Sequence, residues 1–220
     1  MTKKIKKLKN NNMQTLPAIN EIVGLLDTYD TVALEALQKK FPAHQKVLSS
    51  GIIAGEGKED SDQKVELQVR SEVCKSGLEL ILKRSTSLLP KLKSRVRFLN
   101  RCQLFSQVIV AIGGATIIGL LKSESGKDKM VSYFAASLTL IGSILSILIQ
   151  YLSGSILANS KSVNILYENL VDYKIEAQHY LDEITILMKL GNESSMARMA
   201  TIISDANHVS LEIRKIIERL

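Results

Sequence analysis

Apolar residues recur at helical spacing from Leu16 to Ser50: Leu16, Ile19, Ile22, Val23 and Leu26, then Val32, Leu34, Leu37 and Phe41. The pattern predicts two short helices. Pro17 suits a first helical turn, and Pro42 should end the second helix, because proline lacks the amide that a helix interior needs. Gly51–Asp62 combines three glycines with acidic residues and reads as a linker or exposed loop. A long helical stretch follows from about Gln63 to Leu121, with Val65, Val69, Val73, Leu80 and Ile81 on one face. Pro90 is expected to break or kink it at Leu89. Beyond it, Leu92, Val96, Leu99 and Gln103 step by four, three and four.

The pattern then changes. Cys102–Leu121 is 20 residues without a charge, and Met130–Ser160 is 31 more. Roughly 20 apolar residues cross a hydrocarbon core of about 30 Å, so two spans are predicted, Cys102–Leu121 and about Met130–Leu152. Residues 122–129 join them through a short charged turn, which implies a tight hairpin with both termini on one side. Seven positive charges (Lys83, Arg84, Lys91, Lys93, Arg95, Arg97 and Arg101) precede the first span, against three in the loop. Positive residues stay on the cytoplasmic side, so both termini are expected in the cytoplasm. The row Lys91, Lys93, Arg95, Arg97 and Arg101 interleaves with apolar positions, as in a basic amphipathic helix lying among lipid headgroups.

Within the spans, Ala111, Ala115 and Gly119 recur every fourth residue, a spacing that lets helix backbones approach in lipid. At 100° per residue, Ser132, Thr139, Ser143, Ser146, Gln150 and Ser153 fall within about an 80° sector of the second span. Unpaired polar groups facing hydrocarbon cost several kcal/mol each, so the row should face protein or water. Two arrangements remain open: packing against the first span with hydroxyls bonded back to helix carbonyls, or lining a hydrated path in an oligomer.

After the spans, Leu166, Leu170, Tyr173, Ala177, Tyr180, Ile184 and Leu187 alternate steps of four and three, as in a coiled-coil seam. Gly191 is placed to stop that helix, and Asn192 or Ser194 to cap the next. The final stretch repeats the rhythm with Met199, Ile203, Ala206, Ser210, Ile213, Ile217 and Leu220. An antiparallel helical hairpin is predicted, closing on the N-terminal helices or zipping to another subunit.

The expected fold class is therefore an all-α membrane protein, a two-helix transmembrane hairpin with cytoplasmic helical N- and C-terminal regions. Its parts are a basic flexible tail (1–12), an N-terminal helical region with linker (13–62), juxtamembrane helices (63–101), the hairpin (102–152, loop 122–129) and a C-terminal helical hairpin (153–220). Overall composition hides this organisation. The 220 residues are 45% hydrophobic and 23% charged, ordinary values for a soluble protein. Met1–Asn12 carries five of the lysines behind the net charge of +7, suited to a solvated terminus or to anionic lipid or nucleic acid. Polar residues follow that basic start, unlike the apolar core of a signal peptide.

Catalytic and metal-binding patterns are not evident. Cys74 and Cys102 form neither a disulfide framework nor a CxxC site, and His44, His179 and His208 stand apart. No phosphate-loop or GxSxG motif occurs. Asp27 with Asp30, and Asp60 with Asp62, read as caps and loop solubilisers. The expectation is a protein that is not an enzyme and takes no cofactor or metal.

The basic amphipathic stretch Leu92–Arg101, the two short-looped spans with small and polar residues, and the Tyr-containing helix Leu166–Leu187 together resemble the SLATT group of bacterial two-transmembrane effectors, including those associated with retron reverse transcriptases. The resemblance covers about Leu80 to Leu187 and rests on architecture. It implies antiphage defence: a homo-oligomer in the lipid bilayer of the inner membrane that permeabilises it once a partner signals infection. The chain departs from fused versions because its first 60 residues are too few for a sensor domain. Sensing would then fall to a separate partner, such as a retron reverse transcriptase with its DNA–RNA product or a nucleotidyltransferase system, with the basic tail a conceivable nucleic-acid contact. A membrane-anchored scaffold that recruits a soluble partner, and a holin-like hole, are the alternatives.

Overall fold

The computed structural model describes residues 16–49, 63–122, 129–154, 162–191 and 193–219. The basic tail, the linker 51–62, the loop 123–128, the cap candidate Asn192 and Leu220 lie outside them. The described residues form six α-helices and one short 3-10 turn, with no strand among them: α1 (Asn20–Tyr29), α2 (Thr31–Lys40), the turn Pro42–His44, α3 (Gln63–Lys122), α4 (Lys129–Leu152), α5 (Val163–Leu190) and α6 (Glu193–Ile217).

Local chemistry explains most of the helix ends. The Asp30 carboxylate accepts a bond from the Ala33 amide at 3.1 Å and so starts α2. Pro42 opens the 3-10 turn directly after α2. Pro17 lies outside α1, which begins three residues later. Its carbonyl accepts a bond from Arg70 Nη1 instead. Gly191 takes φ of +62°, where a side chain would be strained. Its amide donates to Leu187 O at 3.3 Å, which closes α5.

The long helical stretch is α3, a single helix of 60 residues that runs through Pro90, so the proline does not break it. Proline removes one amide and leaves the carbonyl four residues earlier without its helix partner. Both Pro90 and Thr86 are exposed, so that carbonyl lies on the open side of the helix, where water can satisfy it.

The chain separates into two compact units. The first comprises Met1–Ile81 and Glu176–Leu220, the second Leu82–Ile175. In the first, α1 packs on α2 and α6. Ile22, Val23, Leu25 and Leu26 of α1 meet a core that includes Val69, Val73, Leu78, Ile184, Ile203 and Ile213. A Cβ on Gly77 would collide with Ile22, which marks the close approach of α1 to α3. Asn207 of α6 accepts the Glu21 and Ile22 amides at 3.0 and 3.3 Å, capping α1 from a distant helix. Arg70, only 1% exposed, donates to Glu66 at 2.6 Å within this core. Arg198 of α6 holds Glu183 of α5 through two bonds of 2.6 and 2.9 Å, and this contact keeps the Glu183 carboxyl below its ordinary range.

In the second unit the buried positions of α3 recur every seven residues: Ser85, Leu92, Leu99, Ser106 and Gly113. Ala135, Gly142 and Ile149 of α4 repeat the period. A seven-residue repeat is the signature of knobs-into-holes packing. Val163, Leu166 and Leu170 of α5 complete the buried set.

Candidate functional site

Ser106 Oγ donates to Gly142 O at 3.1 Å, joining α3 to α4 through a buried bond. A Cβ on Gly142 would stand 2.8 Å from Val110 Cγ2 and 2.9 Å from Ile109 Cγ2. One on Gly113 would lie 3.0 Å from Ala135 O and from Thr139 N, and would collide with Thr139 Oγ1. Position numbers rise on one helix as they fall on the other, so the pair is antiparallel. At Gly113 backbone meets backbone, and at Gly142 the Val110 and Ile109 side chains close in with Ser106 O at 3.2 Å, so neither place has room for a Cβ.

The outer faces of this pair are apolar and open. Phe105, Ile112 and Ile118 on α3 and Phe134, Ile141 and Leu148 on α4 are all more than half exposed. Both helices contain stretches long and apolar enough to cross a membrane, with only 11% and 17% of those stretches buried.

The polar row of α4 sits at the edge of the packed face, about 60° round from Ala135, Gly142 and Ile149 at 100° per residue. Ser132 is exposed, whereas Thr139, Ser143, Ser146, Gln150 and Ser153 are half-buried. Three of the hydroxyls bond to their own helix: Thr139 to Ala135 O at 2.9 Å, Ser143 to Thr139 O at 2.8 Å and Ser153 to Gln150 O at 2.8 Å.

Ala111, Ala115 and Gly119 lie on the other side of α3. All three are exposed, and a Cβ on Gly119 would touch nothing within 4 Å. The α3–α4 contact instead uses Ser106, Ile109, Val110 and Gly113. Periodicity shows that a row of small residues exists, but the partner helix determines which row it covers.

At the end of the pair where Leu99 meets Gln150, a cleft of about 410 Å³ is lined by Leu99, Asn100, Gln103, Gln150, Ser153, Ser162 and Asn164. Four carboxamides and two hydroxyls supply both donors and acceptors without a formal charge. Such a wall suits water or a polar headgroup. Gln150 and Ser153 belong to the expected polar row, but Asn100, Ser162 and Asn164 join it only through the fold. The sequence offered one faint sign of them, carboxamides clustered at span boundaries.

The expected headgroup residues, Lys91, Lys93, Arg95, Arg97 and Arg101, are all exposed. The apolar side of their helix is packed, however: Leu92 and Leu99 are buried inside the second unit. Phe98 of the same stretch stays exposed, and the helix continues directly into the apolar part of α3. Among the described residues, no group of three or more His, Cys, Asp or Glu is placed to hold a metal ion. No protein-family model, curated protein or solved structure matches the chain.

Proposed function

We propose that the chain is a multi-pass protein of the bacterial inner membrane, with both termini cytoplasmic, that oligomerises and permeabilises the membrane when a partner releases or triggers it. The observation that carries this reading is the uncovered apolar outside of the α3–α4 pair, a surface that water disfavours and lipid accepts. Arg97 and Arg101 lie within about 8 Å of Cys102 at 1.5 Å per residue, close enough for headgroups, whereas Lys91 stands about 17 Å back. The positive residues ahead of α3's apolar part support cytoplasmic termini.

The resemblance to SLATT effectors extends the proposal to antiphage defence by abortive infection. The trigger would come from a regulatory partner, such as a retron reverse transcriptase with its DNA–RNA or a nucleotidyltransferase system. Catalysis and cofactors have no part in this role. Overproduction should depolarise cells, read with a potential-sensitive dye, and Ser143→Leu with Gln150→Leu should blunt the effect. Depolarisation that survives both changes would remove the polar row from the mechanism.

The return bonds of Thr139, Ser143 and Ser153 favour a second reading, a membrane tether whose helical ends recruit a soluble partner. A tether predicts unchanged potential on overproduction, and function retained after both spans are replaced by a generic anchor. A holin-like hole would depolarise cells without any partner.

A further inference from the structure

The described acidic residues of the second unit are confined to one helix, α5, which also carries Lys174. Leu80–Ser123 contains no acidic residue, and all its cations except Lys122 precede the apolar part of α3. The acidic residues described in this unit, Glu168 and Asp172, both lie on α5. Lys91 and Arg95 form an i,i+4 pair of like charge, as do Glu168 and Asp172, and each pair weakens its own helix when unanswered. All four side chains are exposed, and none takes part in an ion pair among the described residues.

Their levels match. Leu99 of α3 and Asn164 of α5 line the same cleft. Arg95 and Lys91 lie four and eight residues before Leu99, and Glu168 and Asp172 lie four and eight after Asn164. At 1.5 Å per residue, both pairs stand about 6 and 12 Å along their helices from the cleft.

We infer a head-to-tail interface between copies of the chain, with Lys91 and Arg95 of one copy against Asp172 and Glu168 of the next. Neighbours around a membrane normal sit at equal height, so equal levels are what a closing ring requires. An anionic lipid or a nucleic acid would answer the basic pair but be repelled by the acidic one. A second copy answers both. Exposed ion pairs contribute little affinity each; here they set register, while the open apolar faces below supply burial. The inference rests on the proposed oligomeric membrane protein and identifies its subunit contact.

The test uses the full chain in neutral phosphatidylcholine nanodiscs or mild detergent, with mass read by light scattering. Wild type should assemble above the 24.4 kDa of one chain. K91E/R95E and E168K/D172K each set like charges against one another across the contact and should each lower the assembled mass, and the fourfold exchange should restore it. Assembly that survives both reversals, or that the fourfold exchange leaves lost at wild-type helical content, overturns the inference. In a C74S/C102S background, mixed R95C and E168C chains should form an interchain disulfide at least tenfold faster than R95C with K189C; equal rates also overturn it. Cellular depolarisation is read separately, so a ring that leaves cells polarised sinks the pore and spares the interface.

Discussion

Ser85 and Arg70 show how polar atoms inside these helix rows set local stability. Ser85 Oγ is buried without a hydrogen-bond partner, so Ser85→Ala removes a desolvation cost and should stabilise by about 1 kcal/mol, seen as a higher Tm in detergent. A lower Tm would mean that the hydroxyl is satisfied. Arg70 and Glu66 behave oppositely, because removing one partner strands a buried charge: Glu66→Ala should cost about 3–5 kcal/mol by denaturant titration. Burial pushes the Cys74 thiol up to about 12 from 9.0. The folded thiol keeps its proton where the unfolded one loses it. Its contribution to stability is therefore complete below pH 9 and is lost as pH rises from there toward 12. Alkylation at pH 9, followed by mass spectrometry, should modify Cys74 at least tenfold more slowly than in denaturant.

At the scale of elements, close approach matters more than propensity. Gly113→Ala and Gly142→Ala place a methyl against backbone or packed side chains across the α3–α4 contact. Each should cost about 1–3 kcal/mol by overpacking, measured as thermal unfolding of the purified protein in detergent. Gly114→Ala and Gly119→Ala, where a Cβ meets nothing within 4 Å, should leave that transition unchanged. Equal losses at all four sites would contradict the antiparallel contact. The α5–α6 seam was legible because its four-three rhythm places Ala177, Ile184, Ile203 and Ala206 on faces that are buried. The unbroken passage through Pro90 was not, because whether the carbonyl that proline strands reaches water depends on which side of the helix is packed.

For the whole molecule, the open apolar outside of α3 and α4 gives the sharpest expectation. A protein held to vesicles by buried apolar surface should stay bound at about 1 M salt, where screening falls to about 3 Å. Release by salt in a flotation assay would point to the exposed cations as the only attachment and would undo the spanning reading. The Arg198–Glu183 contact should respond in the opposite sense. Glu183's lowered carboxyl value makes its contribution present above the ordinary carboxylate range and lost as pH falls through its own. Acid or salt should therefore loosen the α5–α6 pair, checked by hydrogen exchange near Gly191, without detaching the protein from lipid.

Charge-free runs and seven-residue rhythms in the sequence were enough to specify an all-helical chain, its two apolar helices and most of its buried seam. These are properties of one helix considered alone: period, length and the cost of placing charge in an apolar setting. Burial of Leu92 and Leu99, contact through Gly113 rather than Ala115, capping of α1 by Asn207, and the cleft that gathers Asn100, Gln150 and Asn164 required the tertiary structure. A helix carries several candidate faces of similar composition, and the element packed beside it selects which one leaves water.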